Sequence, residues 1–302
     1  VKRFTITPGG RCGRGFTLLE LLVVITIIGI LAGITMPHMG AFKPNVTASA
    51  EQQLTAALAR ARQLAISQRA TVCMVFVPTN FFSSDQNLNP NQVPYTQIAN
   101  AAASSPLYRD EYNKMEKLYS RQLTGYTYVA LRTLGDQPGQ GVPRYLAPWR
   151  SLPEGAFIPF QKFTFYTNNL SVSTRETWPA LVVDPQISNP GFDTNITRFL
   201  AFSLPFPSDQ ITAKSNYFVL PGIAFDYQGR LVDQSGNPTQ RPEVIPLAKG
   251  TVGVARDGNK KPLPIAPSIL EEPRGNATNI SYDVVQVDWL TGRSRAYHYE
   301  TK

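Results

Sequence analysis

The sequence predicts an α+β fold in which a long amino-terminal helix, membrane-spanning at first and amphipathic afterwards, packs on an antiparallel β-sheet body with insertions. Three observations predict it. The segment from Phe16 to Met36 is apolar apart from a few residues and has the length of a bilayer-crossing helix. Leu54, Leu58, Ala61 and Ala65 recur at the spacing of one helix face. Short β-prone runs separated by clusters of Pro, Gly and Asn fill most of the remaining chain, the texture of strands joined by turns.

With 302 residues, 42% of them hydrophobic, the chain can bury a large core and is not a disordered protein. The formal charge of +8 invites a polyanion partner, but Lys2, Arg3, Arg11 and Arg14 all precede the apolar segment. Without them 25 basic residues face 21 acidic ones, a net charge of +4 that calls for no broad nucleic-acid surface. Of the two cysteines, Cys12 lies in the basic leader and Cys73 in the β-prone run Thr71–Val77. A chain that has lost the leader therefore has one thiol and no internal disulfide, and Cys73 reads as a buried strand residue.

Residues 1–15 read as that leader and 16–37 as the hydrophobic helix. Phe16 to Met36 is 21 residues, about 31 Å at about 1.5 Å per residue, against a bilayer core of about 30 Å. Because the basic residues all precede it, the positive-inside rule keeps the leader in the cytoplasm and sends everything after Pro37 across the membrane. One rival reading is a secretory signal cut after Ala48-Ser-Ala50. Against it, the apolar run exceeds the usual length of about 7–15 residues, and the triplet lies beyond Pro37, Lys43 and Pro44. A plain anchor explains the length but not Glu20, since a carboxylate inside a lipid-length helix costs about 2.5–3.5 kcal/mol. Cleavage before Phe16 supplies a remedy: the new α-amine of a neighbouring copy pairs with Glu20 and sets the stagger between helices.

Gly13-Arg-Gly15 followed by Phe16-Thr-Leu-Leu-Glu20-Leu-Leu resembles the processing site of type IV prepilins and type II secretion pseudopilins. The resemblance implies that a prepilin peptidase cuts after Gly15 and methylates Phe16, that Glu20 guides assembly, and that Pro37 marks a break in the long helix. It also implies a single-pass protein of the bacterial inner membrane, with its body in the periplasm until incorporation into a pilus or pseudopilus.

Residues 38–68 continue as the amphipathic helix, with Arg60, Arg62 and Arg69 directed to solvent or to partner subunits. The remainder, 69–302, is predicted to be β-rich. Thr71–Val77 forms its first strand, and Asn80–Asn100, rich in Asn, Gln and Pro, reads as a loop. Leu107–Leu123 reads as a short helix and Tyr126–Leu134 as a strand. Further strands are expected at Phe163–Tyr166, Leu181–Val183, Phe199–Phe202, Tyr217–Phe225 and Asp283–Trp289.

Four of these pieces carry the resemblance further. Ala57-Leu-Ala-Arg-Ala-Arg-Gln-Leu-Ala-Ile66, Ser151-Leu-Pro-Glu-Gly155, Ile223-Ala-Phe-Asp-Tyr-Gln-Gly229 and Leu290-Thr-Gly-Arg293 are similar, in this order, to landmarks of the H-type minor pseudopilins and FimT-like minor pilins, the GspH/FimT family. The body is longer than that resemblance implies. An insertion at about 81–134 and the segment 234–274 read as additions.

Nothing in the sequence marks an enzyme or a cofactor site. His38 and His298 are the only histidines, which argues against a His-based metal site or a Ser-His-Asp triad. Gly139-Gln-Gly141 lacks the rest of a phosphate-binding fingerprint, and Asp184, Asp193 and Asp209 have no oxygen-ligand spacing. Gly292-Arg293-Ser294-Arg295, with Tyr297 and Tyr299 following, could contact phosphates and stack on bases. The FimT-like resemblance implies DNA capture by Arg293 and Arg295, while an ordinary β-turn with solvated arginines explains the same residues. The function expected is that of a minor pseudopilin or pilin at or near the tip of a type II secretion pseudopilus or type IV pilus, supporting protein secretion. Its expected partners are the prepilin peptidase, other pseudopilins or pilins, the inner membrane and secreted cargo. DNA uptake and a major-pilin role are the alternatives.

Overall fold

The computed structural model describes residues 18–27, 46–77, 82, 92–132, 142–163, 199–205, 217–274 and 281–300. The chain divides into two compact units, Val1–Asn45 and Val46–Lys302. In the first, residues 18–27 form a helix, α1.

Here the membrane expectation is corrected. Among the described residues, no helix is long and apolar enough to cross a bilayer. The ten described residues of α1 rise about 15 Å, half of a hydrocarbon core of about 30 Å. Helix α2, Val46–Gln68, has the length at 23 residues but carries Glu51, Arg60 and Arg62. The predicted long membrane-spanning helix, and with it the single-pass inner-membrane placement with a periplasmic body, is therefore overturned. The break predicted at Pro37 lies outside the described residues.

In the second unit, α2 bears its apolar stripe where the spacing predicts it. Ala50, Leu54, Ala57, Leu58, Ala61 and Ala65 are buried, and the four alanines among them let the helix axis come close to the strands beneath. Next come β1 (Val72–Phe76), α3 (Gln92–Ala101), α4 (Pro106–Leu118), a 3₁₀ turn Tyr119–Arg121, and β2 (Gly125–Ala130). The short strands β3 (Arg144–Tyr145), β4 (Arg150–Ser151) and β5 (Ala156–Phe157) follow, with a second 3₁₀ turn at Phe160–Phe163. The remaining strands are β6 (Leu200–Pro205), β7 (Tyr217–Phe225), β8 (Leu231–Val232), β9 (Glu243–Gly253), β10 (Ser268–Glu271), β11 (Ser281–Val287) and β12 (Ser294–Glu300).

All pairings among these strands are antiparallel, in two sheets. The larger runs β3-β2-β1-β7-β6, with β4 also on β2 and β8 also on β7; the smaller runs β10-β9-β11-β12, with β5 also on β9. Helix α2 lies on both. Its stripe meets Val72, Met74 and Phe76 of β1, Ile245 and Leu247 of β9, and Val285 and Val287 of β11 in one core. The opposite side chains of β1, Cys73 and Val75, join Phe202, Leu204, Phe218 and Leu220 in a second core beneath Ile98, Met115, Leu118 and Tyr119 of the α3–α4 layer. A strand covered on both faces must be apolar throughout rather than alternating, which is why Val72-Cys-Met-Val-Phe76 has no polar position. Cys73 is fully buried, and burial pushes its thiol well above the ordinary range.

Strands β3, β4, β5, β8, β10 and β12 are not among those expected, and two further elements depart from the sequence reading for a physical reason. The expected loop 80–100 contains the start of α3, where Pro94 sits in the first turn, a place helices tolerate it. Tertiary packing holds α3: Ile98 is buried, and the Tyr95 and Tyr119 hydroxyls lie 3.1 Å apart in a hydrogen bond. The other is β9, eleven residues within the segment 234–274 and the central strand of the smaller sheet. Its Pro246 and Gly250 hide the strand pattern. The strands expected at Phe163–Tyr166 and Leu181–Val183 fall largely outside the described residues; of them only Phe163 is described, in the second 3₁₀ turn.

Candidate functional site

The first candidate site is α1. Leu18, Leu19, Leu21, Leu22, Val23, Val24, Ile25 and Ile27 are all exposed, Leu18 at 83% and Ile27 at 51%, so the helix presents apolar side chains all around. Glu20 stands among them and is exposed as well. An exposed apolar surface of this kind marks an interaction site. Gly15 and Phe16 lie outside the described residues.

The second candidate site is the end of the body where three distant segments meet. Between β11 and β12, residues 288–293 form a closed turn. The Asp288 amide donates to the Arg293 carbonyl (2.9 Å) and the Gly292 amide to the Asp288 carbonyl (2.8 Å). The Asp288 carboxylate accepts from both the amide and the hydroxyl of Thr291, each at 2.7 Å. These bonds hold its pKa below the usual range, and Arg295 acts in the same direction. Gly292 has φ +62°, the left-handed region that glycine enters without cost.

This turn is pressed against a second one. A β-carbon at Gly292 would lie 1.9 Å from the Gly229 carbonyl oxygen, in the turn between β7 and β8. That second turn is closed by Asp226, whose Oδ1 accepts from the Gln228 and Arg230 amides at 2.9 and 2.8 Å and whose Oδ2 pairs with the Arg230 guanidinium at 2.8 Å. Helix α2 completes the joint. Arg62 Nε donates to the Thr291 carbonyl at 2.7 Å, across 229 residues of sequence. Of the three arginines expected to face solvent or partner subunits, Arg60 and Arg69 are exposed, with the Arg60 guanidinium 6.0 Å from the Tyr128 ring centroid, while Arg62 is half-buried in the joint.

Three of the four landmark segments therefore contact α2, of which the fourth is itself a part. At its other end, Gln53 Nε2 donates to the Ser151 carbonyl at 2.7 Å, and Gly155 (φ +93°) packs on Val46. Arg293 and Arg295 are both exposed. Between them, Ser294 turns inward and its hydroxyl donates to the Thr55 carbonyl of α2 at 3.3 Å. The two arginines thus project from a base held by α2. Nothing in the linear spacing singles out Gly229 and Arg62 as the supports of this turn.

His298 lies in β12 directly opposite Asp283 of β11, with Nδ1 against the Asp283 carboxylate. Among the described residues, no group of three or more His, Cys, Asp or Glu is placed to hold a metal ion. His38, Gly139-Gln-Gly141, Asp184, Asp193 and Asp209 lie outside the described residues.

A family model described as the prokaryotic N-terminal methylation motif matches residues 11–36. The match takes in Gly15, Phe16 and Glu20 and leaves the body outside it. No curated protein and no solved structure matches the chain. The chain thus carries a prepilin-type amino-terminal motif, consistent with the broader pilin and pseudopilin superfamily.

Proposed function

We propose that this chain is a minor subunit of a pilin-type filament, of the H-type pseudopilin or FimT-like kind, added at or near the tip of a type II secretion pseudopilus or type IV pilus. The observation that carries the reading is the methylation motif running into an apolar helix with Glu20 inside it. In a filament, apolar helices of neighbouring subunits cover one another, and the α-amine exposed at Phe16 by the peptidase matches Glu20 in charge. The packing of three family-like landmarks on α2, which contains the fourth, Ala57–Ile66, supports the H-type and FimT-like assignment of the body. Its work is binding: the body meets other minor subunits and secreted cargo.

Glu20→Gln and Glu20→Ala are expected to leave cleavage after Gly15 intact and to lower recovery of the subunit in sheared filaments about tenfold, as losing about 1.4 kcal/mol per contact would. Normal incorporation of either variant removes the assembly role of Glu20.

A second reading is favoured by the exposed Arg293 and Arg295 on their braced turn: capture of duplex DNA through its phosphates. Replacing both by Ala is expected to weaken binding of a duplex to the full chain in detergent, with the difference shrinking as salt is raised. Equal binding by the parent and the double variant at low salt excludes these two residues as the contact.

A further inference from the structure

The paired turns carry more than the two arginines on them. Besides the approach of Gly292 to the Gly229 carbonyl, the Leu231 amide donates to the Trp289 carbonyl at 2.9 Å, and Arg62 of α2 abuts both turns. Residues 226–230 and 288–293 thus form one braced projection. Each turn holds a large apolar side chain in water, Tyr227 at 57% and Leu290 at 54% exposure, whereas the neighbouring Trp289 packs on the core around α2. Neither exposed side chain closes its turn; Asp226, Asp288, Thr291 and Gly292 do that.

The charges around this apolar pair indicate what covers it. Both carboxylates are engaged within their own turns, Asp226 by the Gln228 and Arg230 amides and Asp288 by Thr291. Arg293 and Arg295 are exposed, and the Arg230 guanidinium is 31% exposed beside Asp226. The rim is therefore positive and the centre apolar. A nucleic-acid backbone matches the arginines but leaves Leu290 without an apolar partner, whereas a protein surface matches both. Tyr and Arg on a rigid support are also the side chains that carry much of the binding energy at protein interfaces.

We propose, resting on the first reading above, that these two turns are the docking surface through which the body binds a partner protein, one that presents an apolar side chain ringed by Asp and Glu.

The test puts a photo-crosslinking residue in place of Tyr227 or of Leu290 in the full chain, in its native cells, with the similarly exposed Ile265 as the control position. Adducts are mapped to the residue by mass spectrometry. Both positions are expected to reach one protein, at a segment where Asp and Glu surround an apolar residue, and Ile265 is expected to give less than about a tenth of that yield. Arg293→Glu should lower the yield at Leu290 about tenfold through like-charge repulsion, and Arg293→Lys, which keeps the charge, should not. Adducts to DNA, to a segment without acidic residues, or from all three positions alike overturn the docking surface, as does the absence of adducts. Recovery of the same chain in sheared filaments tests the filament reading separately. A chain present in filaments without adducts fails the surface alone, and adducts from a chain absent from filaments fail the filament reading alone.

Discussion

Lys162→Met is expected to lower the thermal midpoint of the body by roughly 10 °C, the counterpart of about 3–5 kcal/mol. Lys162 is completely buried in the second 3₁₀ turn, with Nζ 2.6 Å from Glu243 Oε1 at the start of β9, itself 2% exposed. The ammonium also lies 4.7 Å from the centroid of the Phe199 ring, which stacks on Phe76. Methionine fills a similar volume but leaves the Glu243 carboxylate in the core without its cation, and desolvation of a charge is the largest single cost a substitution here can impose. Lys162→Met combined with Glu243→Leu separates charge from packing. The double variant should recover most of the loss, because replacing both members of a buried pair by apolar residues is often neutral or better. Calorimetry checks this; a double variant as unstable as the single one would assign the role to shape rather than to charge.

Gly292→Ala carries the second large effect. At φ +62° any side chain costs about 1–2 kcal/mol, and here the new β-carbon would also meet the Gly229 carbonyl oxygen at 1.9 Å. Backbone on both sides of that contact must move, and Arg62, whose Cδ is 3.2 Å from the same β-carbon, moves with it. Gly236 is the control. Its φ is +83°, but a β-carbon there meets nothing within 4 Å, so Gly236→Ala registers the conformational cost alone. Chemical denaturation should place Gly292→Ala at least about 1 kcal/mol below Gly236→Ala. Equal losses would mean that the two turns are not locked together. If Arg293 and Arg295 capture DNA, Gly292→Ala should weaken that as well, whereas Gly236→Ala should not.

Local chemistry made much of the body legible. The stripe Leu54, Leu58, Ala61 and Ala65 predicts α2 because helix periodicity survives any partner, and Tyr217–Phe225 reads as a strand because β-branched and aromatic residues cluster there. Where a rule of local propensity was broken, the reading failed. Strand β9 contains Pro246 and Gly250, and only its pairing with β5, β10 and β11 keeps it extended. Helix α3 follows a stretch of Asn and Gln and is held by contacts across the α3–α4 layer.

The same division runs through the sites. The methylation motif is one contiguous stretch, residues 11–36, so Gly15, Phe16 and Glu20 were legible in the sequence by itself. Length and hydropathy over Phe16–Met36 also suggested a membrane crossing, yet among the described residues the helix has ten residues and no helix meets the requirement. The joint of Arg62, Gly229 and Gly292 and the buried pair of Lys162 and Glu243 were decided by tertiary structure alone. Each brings together residues far apart in the chain, where no spacing rule operates, and each depends on burial, which raises the energetic stakes of a polar contact only once the fold has excluded water.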